Sequence, residues 1–413
     1  MRTITDFHLH SKYSRACSKE LTLPNIAKGC ERKGIQLVGT SDFTHPAWRA
    51  HIGEELEETD GGAFKLRKSE SPTRFLLSTE LSCIYKRGGK VRRVHHIVLC
   101  SSLKGVDRLI ASLEKRGCNL KADGRPILGI DSEELVKMLL SADEQGLLIP
   151  AHAWTPWFAV FGSMSGFDTL EECFGAMTGH IHAIETGLSS DPPMNRRLSG
   201  LDSVFLVSNS DAHSLDKLGR EANVFEMTTP GFDELRSILV EKKQKQFIET
   251  IEFFPEEGKY HADGHRACGF SCEPKETKRR GGICPVCGKP LTVGVLHRVD
   301  DLADCDQASD VSPTTVAYRY IIPLAELVGS VVGVGPSSKK VKAIVDRMLE
   351  DGRTEFGVLL DAPSSDLYPI APKEVADAIL SMRKGEVDRI PGFDGEFGRI
   401  TVRVRKPEQG KLI

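Results

Sequence analysis

The 413-residue sequence predicts an α/β protein: a barrel-like sheet, then a small cysteine-bearing module, then a second, smaller α/β domain. Three observations lead there. Apolar strand-like runs alternate with helical runs to about residue 250, which implies a mostly parallel sheet with enough units to close. His, Asp and Glu recur at the ends of those runs, where barrels place their chemistry. Past residue 255 the composition turns to glycine, proline and paired cysteines. The expected boundaries are 1–255, 256–297 and 298–413.

The first strand ends in "DFHLHS", Asp6 to Ser11. Alternate residues of a strand share a face, so Asp6, His8 and His10 gather on one side while Phe7 and Leu9 pack on the other. "QLVGTSD" ends at Asp42, "FLLSTEL" carries Glu80, "HHIVLC" opens with His95 and His96, "GLLIPAH" ends at His152, and "SVFLVSNSDAH" ends at Asp211 and His213. Between them, Thr22 with Pro24 opens a helix, and Asp131 with Glu134 opens another in "SEELVKMLLSADEQG", stopped by Gly146. One strand-end histidine is ordinarily structural. Six strand ends supplying imidazole and carboxylate together point to a site for several metal ions such as Zn²⁺, Mn²⁺ or iron.

Composition narrows the setting. The apolar fraction of 40% suits a real core, and no apolar run approaches the ~20 residues a bilayer crossing needs. No signal peptide pattern precedes the first motif, so a cytoplasmic protein with no membrane partner is expected. Of 11 cysteines, Cys17, Cys30, Cys83, Cys100, Cys118 and Cys173 are scattered singly, as small core residues of a reducing compartment are. The net charge of −3 rules out an evenly basic coat. Basic stretches at 85–93, 275–282 and 337–342 leave phosphate tracking open.

In the order "DFHLHS", "GTSDFTH", "STELS", "HHIVL", "PAHAW" and "SNSDAHS", the chain resembles the PHP (polymerase and histidinol phosphatase) metallophosphoesterases. The resemblance implies a distorted seven-stranded α/β barrel holding two or three divalent metals, zinc first, with manganese or magnesium as alternatives. It implies one ligand set of His8, His10, Glu80 and Asp211 and a second of Glu80, His96 and His152, with Glu80 bridging; His95 is the alternative to His96. Asp42 and His213 are implied for a third. That third set departs from the family pattern, because Phe43 and "SKYSRACSKE" stand where many members carry histidines. Glu185 in "AIETG" reads as a residue behind the ligands.

Beyond the barrel, Cys268, Cys272, Cys284 and Cys287 form a C-x₃-C…C-x₂-C pattern that suits one structural, tetrahedral zinc. His261 and His265 are candidate substitutes for one cysteine. "GVGPSSKKV" lacks the Gly-Lys-Ser/Thr ending of a nucleotide loop, which leaves a helix cap or a phosphate contact.

A PHP barrel, a zinc finger and the "GVGPSSKKV…PGFDGEFG" tail together resemble endonuclease Q, a DNA repair family. That resemblance spans essentially the whole chain. It implies damaged DNA as partner and cleavage 5′ to uracil, hypoxanthine, xanthine or an abasic site, leaving a 3′-hydroxyl and a 5′-phosphate. A metal-activated hydroxide would attack the phosphorus in line, with Asp211 and Glu80 as the catalytic carboxylates. Trp48, Trp154 and Trp157 lie just behind ligand positions and are candidates to stack on an extruded base. Arg196 and Arg197 are candidates for phosphate contacts. A phosphatase acting on a small phosphate monoester is the alternative, and it would need neither finger nor tail. Gln409 and Leu412 have the spacing of the first half of a sliding-clamp motif.

Overall fold

A computed structural model describes residues 1–305 and 312–403. β1 (Arg2–Asp6) runs parallel to β2 (Leu37–Gly39). β3 (Leu56–Glu58) and β4 (Phe64–Leu66) make an antiparallel ribbon on the start of β5 (Arg74–Arg87), which lies parallel to β2. β6 (Lys90–Cys100) returns antiparallel along the whole of β5 through Gly88 and Gly89. Both glycines have positive φ, 60° and 75°, as a tight two-residue hairpin demands. β7 (Ile127–Leu128) pairs with β5, and β8 (Leu147–Pro150) pairs antiparallel with β6. β9 (Ala183–Glu185) and β10 (Phe205–Val207) are a parallel pair.

Two backbone bonds close the ring. Ala153 N donates to Glu185 O at 2.9 Å, joining the end of β8 to β9. His10 N donates to Ala212 O at 3.0 Å, joining the end of β1 to the segment after β10. β1, β2, β5, β6, β8, β9 and β10 thus form the distorted seven-stranded barrel. β11 (Ala222–Glu226) and β12 (Phe247–Glu252) extend it antiparallel from the other edge of β1.

Helices cover the strands because their apolar residues recur at helical spacing. Helix Leu23–Lys33 buries Leu23, Ile26, Ala27 and Cys30, one stripe, and stops at Gly34 with φ 90°. Helix Ser132–Ala142 is capped by Asp131, which accepts from Glu133 N, and buries Leu135 and Leu139 on the barrel at ~2 kcal/mol each.

After the barrel, β13 (Asp263–His265) and β14 (Phe270–Cys272) form a hairpin. β15 (Ala317–Tyr320) then adds parallel to β12, so the C-terminal part begins inside the barrel's own sheet. Four α-helices follow among the described residues, Leu324–Val332, Lys339–Met348, Ser364–Ile370 and Lys373–Arg383. Ser338 of "GVGPSSKKV" caps the second of them by accepting from Val341 N. Lys33–Glu355 at 2.9 Å and Arg2–Asp361 at 2.6 Å tie this bundle to the barrel. The "PGFDGEFG" stretch is the turn between β16 (Val387–Ile390) and β17 (Arg399–Val402). Among the described residues, no helix is long and apolar enough to cross a membrane. Gln409 and Leu412 lie outside the described residues.

Candidate metal centre

The strand ends meet at one mouth of the barrel and bring two groups of donors together. His8, His10, Glu80 and Asp211 place one ligand atom each within 4.8 Å of the others. His10 Nε2 lies 3.2 Å from Glu80 Oε2 and 3.1 Å from Asp211 Oδ1; His8 Nε2 lies 3.4 and 3.7 Å from the same two oxygens. The other oxygen of Glu80 faces the second group: Oε1 is 2.7 Å from His95 Nδ1 and 3.2 Å from His152 Nε2. Glu80 therefore serves both groups, one oxygen to each.

Each imidazole of the first group is aimed from behind. His8 Nδ1 contacts Glu185 Oε1 at 2.9 Å, and Glu185 also accepts from His152 N and from Asn209. His10 Nδ1 faces Asp42 Oδ1 at 3.4 Å. Carboxylates behind Nδ1 fix the ring and turn Nε2 toward the cluster. His8 Nε2 is buried and has no hydrogen-bond partner. Two imidazoles and two carboxylates converging around such an atom fit a borderline divalent cation.

Local backbone strain marks the same residues. Asp42, His152 and Asp211 have φ of 40°, 31° and 45°, a region that costs a residue with a Cβ and collects at functional sites. Gly187 lets the chain pass His152 closely: a Cβ there would stand 2.7 Å from His152 Cβ, and its own φ is +65°.

The electrostatics follow from crowding. Burial would raise the Glu80 carboxyl, but Arg125, His95 and His8 together hold it well below the usual carboxylate range. Burial acts against Asp211 as well, and His10 and His8 hold it low. His95 falls to about 4 because burial outweighs its pairing with Glu80, leaving a neutral ring able to ligate.

A cavity of about 300 Å³ opens beside the second group, lined in part by His95, His152, Trp157, Phe158, Leu188 and Asn209. Trp157 is half-exposed there and meets Tyr260 edge to face at 5.7 Å.

Several expected residues stand elsewhere. His96 points away from Glu80: it shares the Leu81 face of the β5–β6 pair, bonds Ser132 Oγ at 2.8 Å and packs on Phe174, while His95 takes the place expected for it. Asp42 and His213 belong to neither donor group among the described residues. The Asp42 carboxylate is engaged by His10, Ser11 N and Ser14 Oγ, and His213 Nδ1 lies 2.8 Å from Asp211 O. Trp48 is a core residue whose Nε1 donates to the carbonyls of Thr40 and Ser41, and Trp154 is buried against Asn195. Arg196 is buried and donates to the carbonyls of Leu201, Val204 and Thr314, so no phosphate can reach it. Arg197 pairs with Asp300 at 2.9 Å.

The finger is also redrawn. His265, Cys268, Cys284 and Cys287 converge within 4.8 Å, whereas Cys272 Sγ sits 3.2 Å from Thr277 Oγ1 and stays outside the group. The donor set fits a closed Cys₃His zinc site rather than four thiolates. Sequence reasoning missed Arg125 altogether; its Nη1 lies 2.9 Å from Glu80 Oε2.

Comparison with known proteins places this arrangement. The lesion-specific endonuclease PfuEndoQ of Pyrococcus furiosus superposes with a TM-score of 0.86 at 31% identity, over 97% of this chain and 96% of that one. The chain belongs to the endonuclease Q family. A structure of endonuclease Q with a 27-mer duplex carrying an abasic lesion at the active site matches with a TM-score of 0.85 and 30% identity, over 99% of both chains. An uncharacterized protein of Bacillus subtilis, YqxK, is 31% identical across 93% of each chain. MJ0043 of Methanocaldococcus jannaschii is 31% identical over 264 residues, which are 62% of this chain and 32% of that longer protein. Residues 323–386 match the family model of the MJ0043 C-terminal domain.

Proposed function

We propose that this endonuclease Q family member is a metal-dependent endodeoxyribonuclease that hydrolyses the phosphodiester on the 5′ side of a damaged nucleotide. The observation that carries the reading is one carboxylate, Glu80, shared by two donor groups beside a cavity. Such paired sites suit phosphoryl transfer, and the full-length likeness to an endonuclease bound to an abasic duplex supports DNA as substrate. Divalent metals held by His8, His10, Glu80, Asp211, His95 and His152 would supply a water of lowered pKa and neutralise charge on the phosphate. Glu185 and Asp42 keep His8 and His10 turned to the cluster. Asp211, at 3.1 Å from His10, orients the attacking water from the strained end of its strand.

The damaged nucleotide leaves the stack and enters the cavity past Trp157. Uracil and hypoxanthine share a keto oxygen beside a ring N–H, whereas cytosine and adenine present an amine and an acceptor. A site built for the first pattern leaves buried groups unpaired with the second, a discrimination of several factors of ten. Thymine shares the uracil edge, so its methyl must be excluded by shape.

The deciding assay compares duplexes bearing one abasic site, uracil or hypoxanthine with undamaged duplex and a small chromogenic phosphate ester. Cutting 5′ to the lesion is expected, with a 3′-hydroxyl product. Turnover of the small ester alone would favour a phosphatase. Asp211→Asn should abolish cleavage while lesion binding persists, because the neutral isostere weakens interactions realised in the transition state. Cleavage within about tenfold of wild type would move the chemistry elsewhere.

A further inference from the structure

We infer that Arg125 is the third cation of this centre and grips the scissile phosphate directly. The inference rests on the phosphodiesterase reading for its substrate and on geometry for its site. Arg125 stands on a loop folded onto the mouth of the barrel, with its Nη1 2.9 Å from Glu80 Oε2, the oxygen that also faces His8 and His10. Among the described residues that bond is the only one its guanidinium makes, so most of its N–H fork remains for another acceptor.

The loop is held there deliberately. Gly124 N donates to Tyr13 O, Asp123 accepts from the backbone N–H of Arg15 and of Arg125, and a Cβ on Gly124 would stand 2.3 Å from Asp42 Oδ2 and from Ser14 Oγ. That packing sets the loop against the Asp42 side of the centre. Asp42 already accepts from Ser11 N and Ser14 Oγ, and Phe43 beside it is fully buried. Positive charge reaches that side as a guanidinium. Its planar fork matches two phosphate oxygens, and a guanidinium stays charged throughout the working pH range. With Glu80 committed to cations, the guanidinium would turn its free N–H groups to a phosphate oxygen.

The test uses full-length, metal-loaded protein and Arg125→Ala. Metal per chain by plasma mass spectrometry should equal wild type, while affinity for inorganic phosphate by calorimetry falls about tenfold or more. Single-turnover cleavage of an abasic duplex should drop on the order of 100-fold, the scale of losing one transition-state donor. Guanidinium chloride should restore part of it, and sodium chloride at equal ionic strength should not. Unchanged phosphate affinity overturns the proposal, as does a loss of metal, which would make Arg125 a structural counter-ion of Glu80. Failure of guanidinium rescue counts against it equally. If wild type binds phosphate through Arg125 yet leaves every duplex intact, the nuclease reading falls and the phosphate site stands.

Discussion

Removing the His95 imidazole takes away the group nearest Glu80 Oε1, at 2.7 Å, and leaves the second donor group with Glu80 and His152 alone. His95→Ala should therefore lower the barrel's metal content and cut cleavage by more than the ~10–100-fold that losing a residue which merely orients a ligand costs. His96→Ala should leave metal content intact and lower thermal stability, since it empties a buried site and leaves Ser132 Oγ with Tyr85 as its remaining partner. The reverse pattern would return His96 to the centre. The choice was legible from parity. The Gly88-Gly89 turn pairs Arg87 with Lys90, which sets Ser82 opposite His95 and Leu81 opposite His96, so only His95 shares the face of Glu80. Trp48, Trp154 and Arg196 were not legible: their burial depends on Thr40, Asn195 and Thr314, partners that no local pattern announces. Arg125 was hidden for the same reason, in a loop 45 residues from the carboxylate it meets.

At the scale of elements, strand ends and knuckles carried most of the readable signal, because period-two alternation places His8 and His10 on one face whatever the rest of the chain does. The finger shows how spacing misleads when it is read by residue type. "CGFSC" offers two cysteines, but Cys272 lies in β14 with its thiol against Thr277, outside the knuckle. "HRAC" has the same two-residue gap as "CPVC", so His265 with Cys268 mirrors Cys284 with Cys287, and that symmetry was present in the sequence. His265→Ala and Cys284→Ser should each cost about one zinc per chain and destabilise the module, because a four-ligand site holds its loops only when complete. Cys272→Ser should keep the zinc. Zinc content by plasma mass spectrometry decides it: loss in Cys272→Ser with retention in His265→Ala would restore the four-cysteine site.

Across the whole molecule, the joint between barrel and C-terminal bundle is a mixed strand contact that no composition shift foretold. Glu252, the last residue of β12, pairs with Tyr320 of β15, and Ile321 N donates to its carbonyl. Opposite it stands Glu221, just ahead of β11, in the register that sets Ala222 against Ile251. Both carboxyls are fully buried, and Glu221 Oε2 and Glu252 Oε1 have no hydrogen-bond partner. Burial, with Asp191 adding to it, pushes Glu252 up to about 8, and burial with Glu252 pushes Glu221 up as well. A carboxyl whose pKa is raised in the folded state holds a proton that the unfolded chain has released. Stability from such a group is complete below its ordinary pKa of 4.5 and is lost as pH climbs to about 8, at no more than about 1.4 kcal/mol per pH unit. Glu252→Gln should therefore flatten the decline of melting temperature between pH 5 and about pH 8 and melt higher than wild type at the alkaline end. The measurement is thermal unfolding across that pH range on both proteins. Parallel curves would mean that Glu252 ionises as easily in the fold as out of it, and that the joint between barrel and bundle buries a charged rather than a protonated carboxyl.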